Sequence, residues 1–332
     1  MILHLKENIT EEHFQTLAKS SEGVGYIKDG KTVLILSSKV KTVPESLTSY
    51  VDEYFVTDSD IQLASKTYTP EKRSIKIGSE TIGGSTNHTM MMAGPCSIES
   101  WEQISQVAEF LKPLGIKTLR AGSFKPRTSP YTFQGLGEEG LRLLGKVREQ
   151  YGFNIITEVK DSSHVQLVID HADIVQIGTK AMYDQSILKA CSISNKPVLL
   201  KRGFGTTLQE FVQAAEFILS GGNENVILCE RGIRTFENKT RFTLDLAGVA
   251  YLKEFTNLPV VVDPSHAMGY RYGVPDLTRA AVAMGVDGLL IEMHPAPEKA
   301  KSDSAQQLNF DEFKSMYQSL QPIAAAVGKK IV

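Results

Sequence analysis

Residues 197–232, PVLLKRGFGTTLQEFVQAAEFILSGGNENVILCERG, carry the reading on which the fold rests. PVLLKRG (197–203) and NVILCERG (225–232) are short apolar runs that end in charged residues and a glycine. Between them TLQEFVQAAEFILSGG repeats its apolar side chains at the three-to-four spacing of an amphipathic helix and stops at a glycine pair. A strand, a helix and a strand in that order make one βαβ unit.

The unit repeats in both directions along the chain. TMMMAGPC (89–96), KTLRAGSF (117–124), NIITEV (154–159), DIVQIG (173–178), PVVVDPSH (259–266) and GLLIEMH (288–294) bring the candidate strands to eight. Helical patterns such as WEQISQVAEFLKPLG, EEGLRLLGKVREQYG and DEFKSMYQSLQPIAAAVG follow most of them. Eight largely apolar strands alternating with helices predict an α/β fold of the (βα)8 TIM-barrel type; a doubly wound open sheet of this size would be unusual. Upstream, MILHLKE (strand), TEEHFQTLAKS (helix, with Thr10 as its cap), GVGYIKDG (strand), KTVLILSS (strand), PESLTSYVDE (helix) and YFVTDS (strand) read as βαββαβ, the ferredoxin-like pattern. Lys28-Asp29-Gly30-Lys31 is a hairpin signal between its middle strands. SKTYTPEKRS is then polar and linker-like, and IKIGSETIGG reads as a short hairpin. The boundary falls near Tyr68: a ferredoxin-like α+β domain over residues 1–68, and the barrel with its short N-terminal hairpin over residues 69–332.

Composition narrows the function classes. At 332 residues, 42% hydrophobic and 22% charged, the chain can bury a sizeable core, which excludes intrinsic disorder as the main reading. Thirty-six basic against 38 acidic side chains leave a net charge of −2, no footprint for broad nucleic-acid or anionic-membrane binding. No apolar run reaches membrane-spanning length, and MILHLKENIT lacks the pattern of a signal peptide, so the expected location is cytoplasmic. Cys96, Cys191 and Cys229 are too few for a disulfide framework and are expected as reduced thiols.

In a (βα)8 barrel, chemistry stands at the C-terminal ends of the strands. Here those ends carry Cys96, Lys125 to Ser129, Glu158, Lys180, Lys201-Arg202, Glu230-Arg231, Asp263 to His266 and Glu292 to His294. Cys96, His266, Glu292 and Asp303 mix soft, borderline and hard donors, a set that suits Mn2+, Fe2+, Co2+ or Zn2+ with an open position. The plainer alternative is that Cys96 fills core and His266 belongs to a turn. Arg120, Lys125, Arg127, Lys180, Lys201, Arg202 and Arg231 form a cationic group that one carboxylate and two phosphates would use, unless Glu158, Glu230 or Glu292 pairs with some of them internally. Lys201 also has the position of a Schiff-base lysine. Cys191 and Cys229 read as packing, with Cys229 a possible neighbour of the site.

At AGPCSIES, LRAGSFKPRTSPYTFQGLGEEGL, VQIG, PVLLKRGFGTTLQEF, ILCERGIRTFE, VVDPSHAMGYR and IEMHPAPEKAKSDSAQQL the chain closely resembles the type I beta class of 3-deoxy-D-arabino-heptulosonate 7-phosphate (DAHP) synthases, over roughly residues 85 to 330. The resemblance implies a metal-dependent barrel that condenses phosphoenolpyruvate with D-erythrose 4-phosphate, the first committed step towards chorismate and the aromatic amino acids. It implies Cys96, His266, Glu292 and Asp303 as metal ligands, and Arg120, Lys125, Lys180, Lys201 and Arg231 as phosphoenolpyruvate contacts. Pro126, Arg127, Thr128 and Ser129 become the erythrose 4-phosphate grip, and Lys125, Cys96 and His266 the catalytic groups. Glu158, Lys125 and His266 are the candidates for moving protons. One departure stands out: the family usually reads IGAR where this chain has IGTK, so Lys180 keeps the charge but loses the arginine fork.

Three rivals follow. The sister 3-deoxy-D-manno-octulosonate 8-phosphate synthase uses arabinose 5-phosphate, but its acceptor motif resembles KANRSS where this chain has KPRTS. A Schiff-base aldolase would be trapped on Lys201 by borohydride and survive a chelator, and a barrel that had become an effector-binding regulator would release no phosphate. The resemblance further implies a homotetramer, and an N-terminal domain that binds tyrosine or phenylalanine as a feedback inhibitor; an assembly or stability module is the alternative there.

Overall fold

The computed structural model describes residues 1–7, 9–125 and 129–332. The chain begins with β1 (Ile2–Leu5), α1 (Glu11–Ser20), β2 (Val24–Lys28), β3 (Lys31–Ile35) and β4 (Val51–Phe55). These strands form one antiparallel sheet in the order β2-β3-β1-β4. Thr10 caps α1, its side chain accepting from the His13 amide. The hairpin between β2 and β3 turns at Asp29 and Gly30, both with positive φ, as the aspartate–glycine pair requires.

One expected element is missing. PESLTSYVDE forms a single 3₁₀ turn, Glu45–Leu47, and the last strand begins at Val51, earlier than the expected YFVTDS. Only Leu47 of that turn is buried, so there is no apolar face to hold a longer helix, and β-branched, aromatic Tyr50-Val51 joins the sheet beside β1 instead.

A hairpin of β5 (Ser74–Ile77) and β6 (Glu80–Gly83) leads into the barrel. Its parallel strands are β7 (His88–Gly94), β8 (Thr118–Arg120), β9 (Asn154–Val159), β10 (Ile174–Ile177), β11 (Val198–Lys201), β12 (Val226–Glu230), β13 (Val260–Val262) and β14 (Gly288–Glu292). Each pairs with the next, and β14 pairs back with β7 in a register that sets Glu292 against Gly94, closing the ring. Seven lie within the runs expected from sequence, and β7 starts one residue ahead of its run, at His88. The helices between and after them are α2 (Trp101–Leu111), α3 (Glu138–Tyr151), α4 (Val165–His171), α5 (Gln185–Ser192), α6 (Leu208–Leu219), α7 (Leu246–Phe255), short α8 (Pro264–Met268), α9 (Val274–Ala283) and α10 (Phe310–Ala326), followed by β15 (Lys330–Ile331) against the start of β7. Capping boxes start α6 (Thr207 with Glu210) and α10 (Asn309 with Glu312).

Three apolar clusters hold these layers. Met90, Met92, Ile156, Ile174, Leu199, Ile227, Cys229, Val261 and Leu290 fill the barrel interior, with Ile75, Ile77 and Ile82 of the hairpin closing its lower end. A second cluster lies between strands and helices, and takes in Ile2, Val33 and Ile35 of the N-terminal sheet. A third lies on the sheet's other face, where Leu3, Leu5 and Leu34 meet Phe14 and Leu17 of α1. The sheet is thus seated on the barrel. The seam is reinforced by Lys28, whose Nζ donates to the Gly222 carbonyl at 2.7 Å, and by Glu216 of α6, whose carboxylate accepts the amides of Gln62, Leu63 and Ala64 at 2.7, 3.1 and 2.8 Å.

Candidate functional site

The first strand delivers its cysteine through a glycine. Gly94 has φ +150°, and a Cβ there would lie 2.2 Å from the Arg120 carbonyl oxygen. Only glycine lets β7 cross so close to β8 and turn Cys96 over the barrel mouth. Cys96 is fully buried, its amide donating to Gln307 Oε1 at 2.9 Å and its Sγ lying 3.0 Å from Ser302 Oγ and 3.3 Å from Asp303 Oδ2. The Cys96, Glu292 and Asp303 donor atoms all lie within 4.8 Å of one another. Asp303 comes from a loop and adopts φ +46°, a left-handed conformation that aspartate tolerates better than most residues.

His266 completes the group. Asp263 caps the short helix α8 and also accepts from His266 Nδ1 at 2.7 Å and from Lys201 Nζ at 2.6 Å. With Nδ1–H committed to Asp263, Nε2 is left as a lone pair, 3.5 Å from Glu292 Oε1 and 3.9 Å from Asp303 Oδ2. Burial pushes the His266 pKa down despite its acidic neighbours. Burial also works against ionising Asp303 and Glu292. The surroundings outweigh it: the His266 ring, Arg241 and Lys125 hold Asp303 well below the usual carboxylate range, and the His266 ring and Arg120 lower Glu292. Burial, with Glu292 and Asp303 nearby, pushes the Cys96 thiol up to about 12. Two carboxylates, an imidazole lone pair and a thiol therefore crowd one point, with Arg120 and Arg241 paired to the carboxylates from outside. That donor set fits a divalent transition ion, whose charge would offset the carboxylates and draw the thiol to thiolate.

Beside this quartet opens a cavity of about 210 Å³, lined by Lys125, Lys180, Lys201, Arg231 and Arg241 together with Glu158, Phe204, His266 and Asp303. Gly178 leaves room for the acid: a Cβ there would meet Glu158 Oε1 at 2.0 Å. Arg120 lies behind the cavity, its Nη1 donating to Glu292 Oε1 at 2.9 Å and to the Pro95 carbonyl at 2.8 Å. Lys125 Nζ reaches the Cys96 carbonyl at 3.3 Å. Arg202 turns away, its Nη1 donating to Glu230 and Asp245, both at 2.8 Å, so internal pairing accounts for it. Lys201 Nζ is committed to Asp263 at 2.6 Å, an ion pair that a Schiff-base lysine would have to give up. Cys191 and Cys229 are buried, Cys229 within the barrel interior. Pro126, Arg127 and Thr128 lie outside the described residues; Ser129, next to them, accepts from the Tyr131 amide and does not line the cavity.

Sequence reasoning gave no role to Asp263, Arg241 or Gln306. Arg241 Nη1 donates to Gln306 Oε1 at 2.8 Å and to Asp303 Oδ1 at 3.4 Å, and Gln306 Nε2 in turn donates to Glu292 Oε2 at 2.5 Å. Asp263 was open to recognition, as an acid one helical turn before a candidate histidine ligand. Arg241 carried no signal, since it sits in an irregular loop away from any strand end.

Comparison with known proteins gives a consistent picture. Residues 66–327 match the model of the DAHP synthetase I family. A phospho-2-dehydro-3-deoxyheptonate aldolase from Thermotoga maritima is 40% identical, covering the whole of both chains. A 2-dehydro-3-deoxyphosphooctonate aldolase from Syntrophotalea carbinolica is 34% identical over 76% of this chain and 97% of its own. The crystal structure of the Thermotoga maritima DAHP synthase superposes with a TM-score of 0.80 over 100% of this chain and 99% of that one. A truncated form from the same organism, 42% identical, gives 0.77 over 82% of this chain and all of its own.

Proposed function

We propose, from the premise that the chain belongs to the DAHP synthetase I family, that it condenses phosphoenolpyruvate with D-erythrose 4-phosphate to 3-deoxy-D-arabino-heptulosonate 7-phosphate and releases phosphate. The observation that carries this reading is the match to the Thermotoga maritima enzyme along the entire chain, N-terminal sheet included; the octulosonate relative matches only part of it, at lower identity.

The residues support a division of labour. Cys96, His266, Glu292 and Asp303 would hold the divalent ion, with Mn2+, Fe2+, Co2+ and Zn2+ all compatible with these donors. When bound, it supplies Lewis-acid polarisation of the acceptor's aldehyde oxygen. Arg231, Lys201, Lys125 and Lys180 surround the cavity with positive charge that would hold the phosphate and carboxylate of phosphoenolpyruvate, with Arg120 behind them. Held there, C3 of the enol donor attacks the aldehyde carbon, water adds at C2, and the C2–O bond to phosphate breaks. Pro126, Arg127, Thr128 and Ser129 are assigned to erythrose 4-phosphate, with Arg127, Thr128 and Ser129 as the ligands of its phosphate. Asp263 keeps His266 in one tautomer and Lys201 in place, so positioning and electrostatics carry much of the rate.

We assign residues 1–68 to a regulatory unit that answers to an aromatic amino acid, and the working particle to a homotetramer in the cytoplasm. Buried, unpaired thiols support that location, and no helix among the described residues is long and apolar enough to cross a membrane.

The test is phosphoenolpyruvate consumption with erythrose 4-phosphate against arabinose 5-phosphate, with and without a chelator, and with Cys96→Ala. The reading expects turnover with the four-carbon sugar, and loss by chelation or Cys96→Ala on the order of a thousandfold. Preference for arabinose 5-phosphate would move the chain to the octulosonate reaction, and chelator-resistant activity would remove the ion from the mechanism. Titration with tyrosine and phenylalanine tests the regulatory assignment, and sedimentation tests the tetramer.

A further inference from the structure

Arg120, Arg202 and Arg231 stand at or one residue beyond barrel strand ends, and all three are buried. Arg120 is neutralised by Glu292, and Arg202 by Glu230 and Asp245. Arg231 makes no ion pair among the described residues, and its Nε and Nη1 are buried without a hydrogen-bond partner. A buried guanidinium left in that condition is costly unless something else faces its charge.

Two aromatic rings do. Arg231 Cζ lies 4.3 Å from the centroid of Phe242 and 5.8 Å from that of Phe204. The rings are parallel to within 4°, with centroids 5.5 Å apart. They belong to different loops, each tied down: the Arg234 amide donates to the Phe204 carbonyl at 2.6 Å, and the Phe242 amide to the Ala267 carbonyl at 2.8 Å. An Ile233–Thr243 bridge closes the base of the second loop. A ring face attracts a cation through its quadrupole but carries no net charge. An acid in the same place would fix the arginine equally well and cancel it.

We propose that Phe204 and Phe242 are positioning residues for phosphoenolpyruvate: they hold Arg231 at the cavity wall while leaving its charge whole for the anion. This rests on the reading that the cavity takes phosphoenolpyruvate, and it adds a determinant of affinity, Phe242, that does not line that cavity. Arg234 Cζ also lies 4.8 Å from the Phe204 centroid and Arg241 Cζ 5.8 Å from that of Phe242, but Arg231 is the cation nearest Phe242, so Phe242 is predicted to act on phosphoenolpyruvate through Arg231.

The test measures phosphoenolpyruvate binding by calorimetry, alongside steady-state kinetics, for the wild type, Phe242→Leu, Phe242→Tyr, Arg231→Ala and the double variant F242L/R231A. Phe242→Leu keeps an apolar side chain but removes the π face. It should raise the Kd and KM for phosphoenolpyruvate about 2- to 30-fold while kcat and the KM for erythrose 4-phosphate stay near wild type. Phe242→Tyr should restore affinity, and Phe242→Leu should cost nothing further in the Arg231→Ala background. Phe242→Met, which also removes the π face, serves if Phe242→Leu fails to fold, with thermal unfolding recorded for every variant. The inference is overturned if Phe242→Leu binds phosphoenolpyruvate like wild type, if Tyr fails to rescue, or if the loss persists without Arg231. A wild type that turns over phosphoenolpyruvate normally beside such a result leaves the reaction standing; a wild type that binds none removes both.

Discussion

At the floor of the barrel, Asp287 is almost wholly buried and fully answered. Lys72 Nζ donates to both its oxygens at 2.8 and 3.0 Å, the Val260 amide donates at 2.9 Å, and Lys329 Nζ stands 3.6 Å away. At the mouth, one barrel length higher, Arg231 makes no contact ion pair among the described residues, Cys96 is a thiol among carboxylates, and His266 turns a lone pair towards Glu292 and Asp303. The same strands supply both ends. The floor closes its electrostatics within the chain, and hairpin isoleucines keep water out; the mouth leaves them open, to be completed by what binds. Unanswered buried charge thus separates the end that stabilises from the end that acts.

That contrast can be broken from the floor. Asp287→Ala should lower the unfolding free energy by about 2–3 kcal/mol, discounted because Lys72 is partly exposed, with kcat per folded molecule unchanged. Chemical denaturation beside an activity assay checks this, and lost turnover in folded protein would mean the floor reaches the chemistry. At the mouth, Asp263→Asn should do the reverse: activity falls about 10- to 100-fold as His266 and Lys201 lose their common partner, while the fold is largely kept. Unaltered kinetics in that variant would deny Asp263 its orienting role.

The seam between sheet and barrel gives a finer probe. Burial lifts the Glu216 carboxyl to about 7, against the three backbone amides that favour its ionised form. Because that value exceeds the ordinary 4.5, the folded chain takes up the extra proton between those limits. The associated stability is complete below about pH 4.5 and is lost as the pH rises through about 7. Glu216→Gln keeps an acceptor and removes the charge, so its melting temperature relative to wild type should climb from about pH 5 to about pH 8, equivalent to about 2–3 kcal/mol. A difference that stays flat with pH would rule out ionisation of Glu216 in that range.

The barrel was legible because its strands are buried on both faces. Val260–Val262 and Gly288–Glu292 read as unbroken apolar runs with polar ends, a pattern that neither surface helices nor half-exposed strands produce. The N-terminal sheet was harder, since β2 and β4 are edge strands with mixed exposure, and Tyr50-Val51 fits a strand as readily as a helix. At the site, the donors could be found because each terminates a strand or lies in a recognisable motif. What the cations do could not: whether an arginine is spent or free depends on what faces it across the barrel. Arg202 and Arg231 end neighbouring strands, yet one meets Glu230 and Asp245 and the other two phenylalanines. No local pattern separates those fates.

The seam between the first and last barrel strands sets a schedule for a chain made from its N-terminus. Cys96 and Asp303 are 207 residues apart, and Glu292 reaches the thiol only because β14 lies beside β7. A nascent chain on the ribosome carries Cys96 through almost the whole of synthesis without the Glu292 and Asp303 that would share an ion with it. Any chain arrested before the eighth strand is chemically silent, so the cell gains the activity in one step, when the ring shuts.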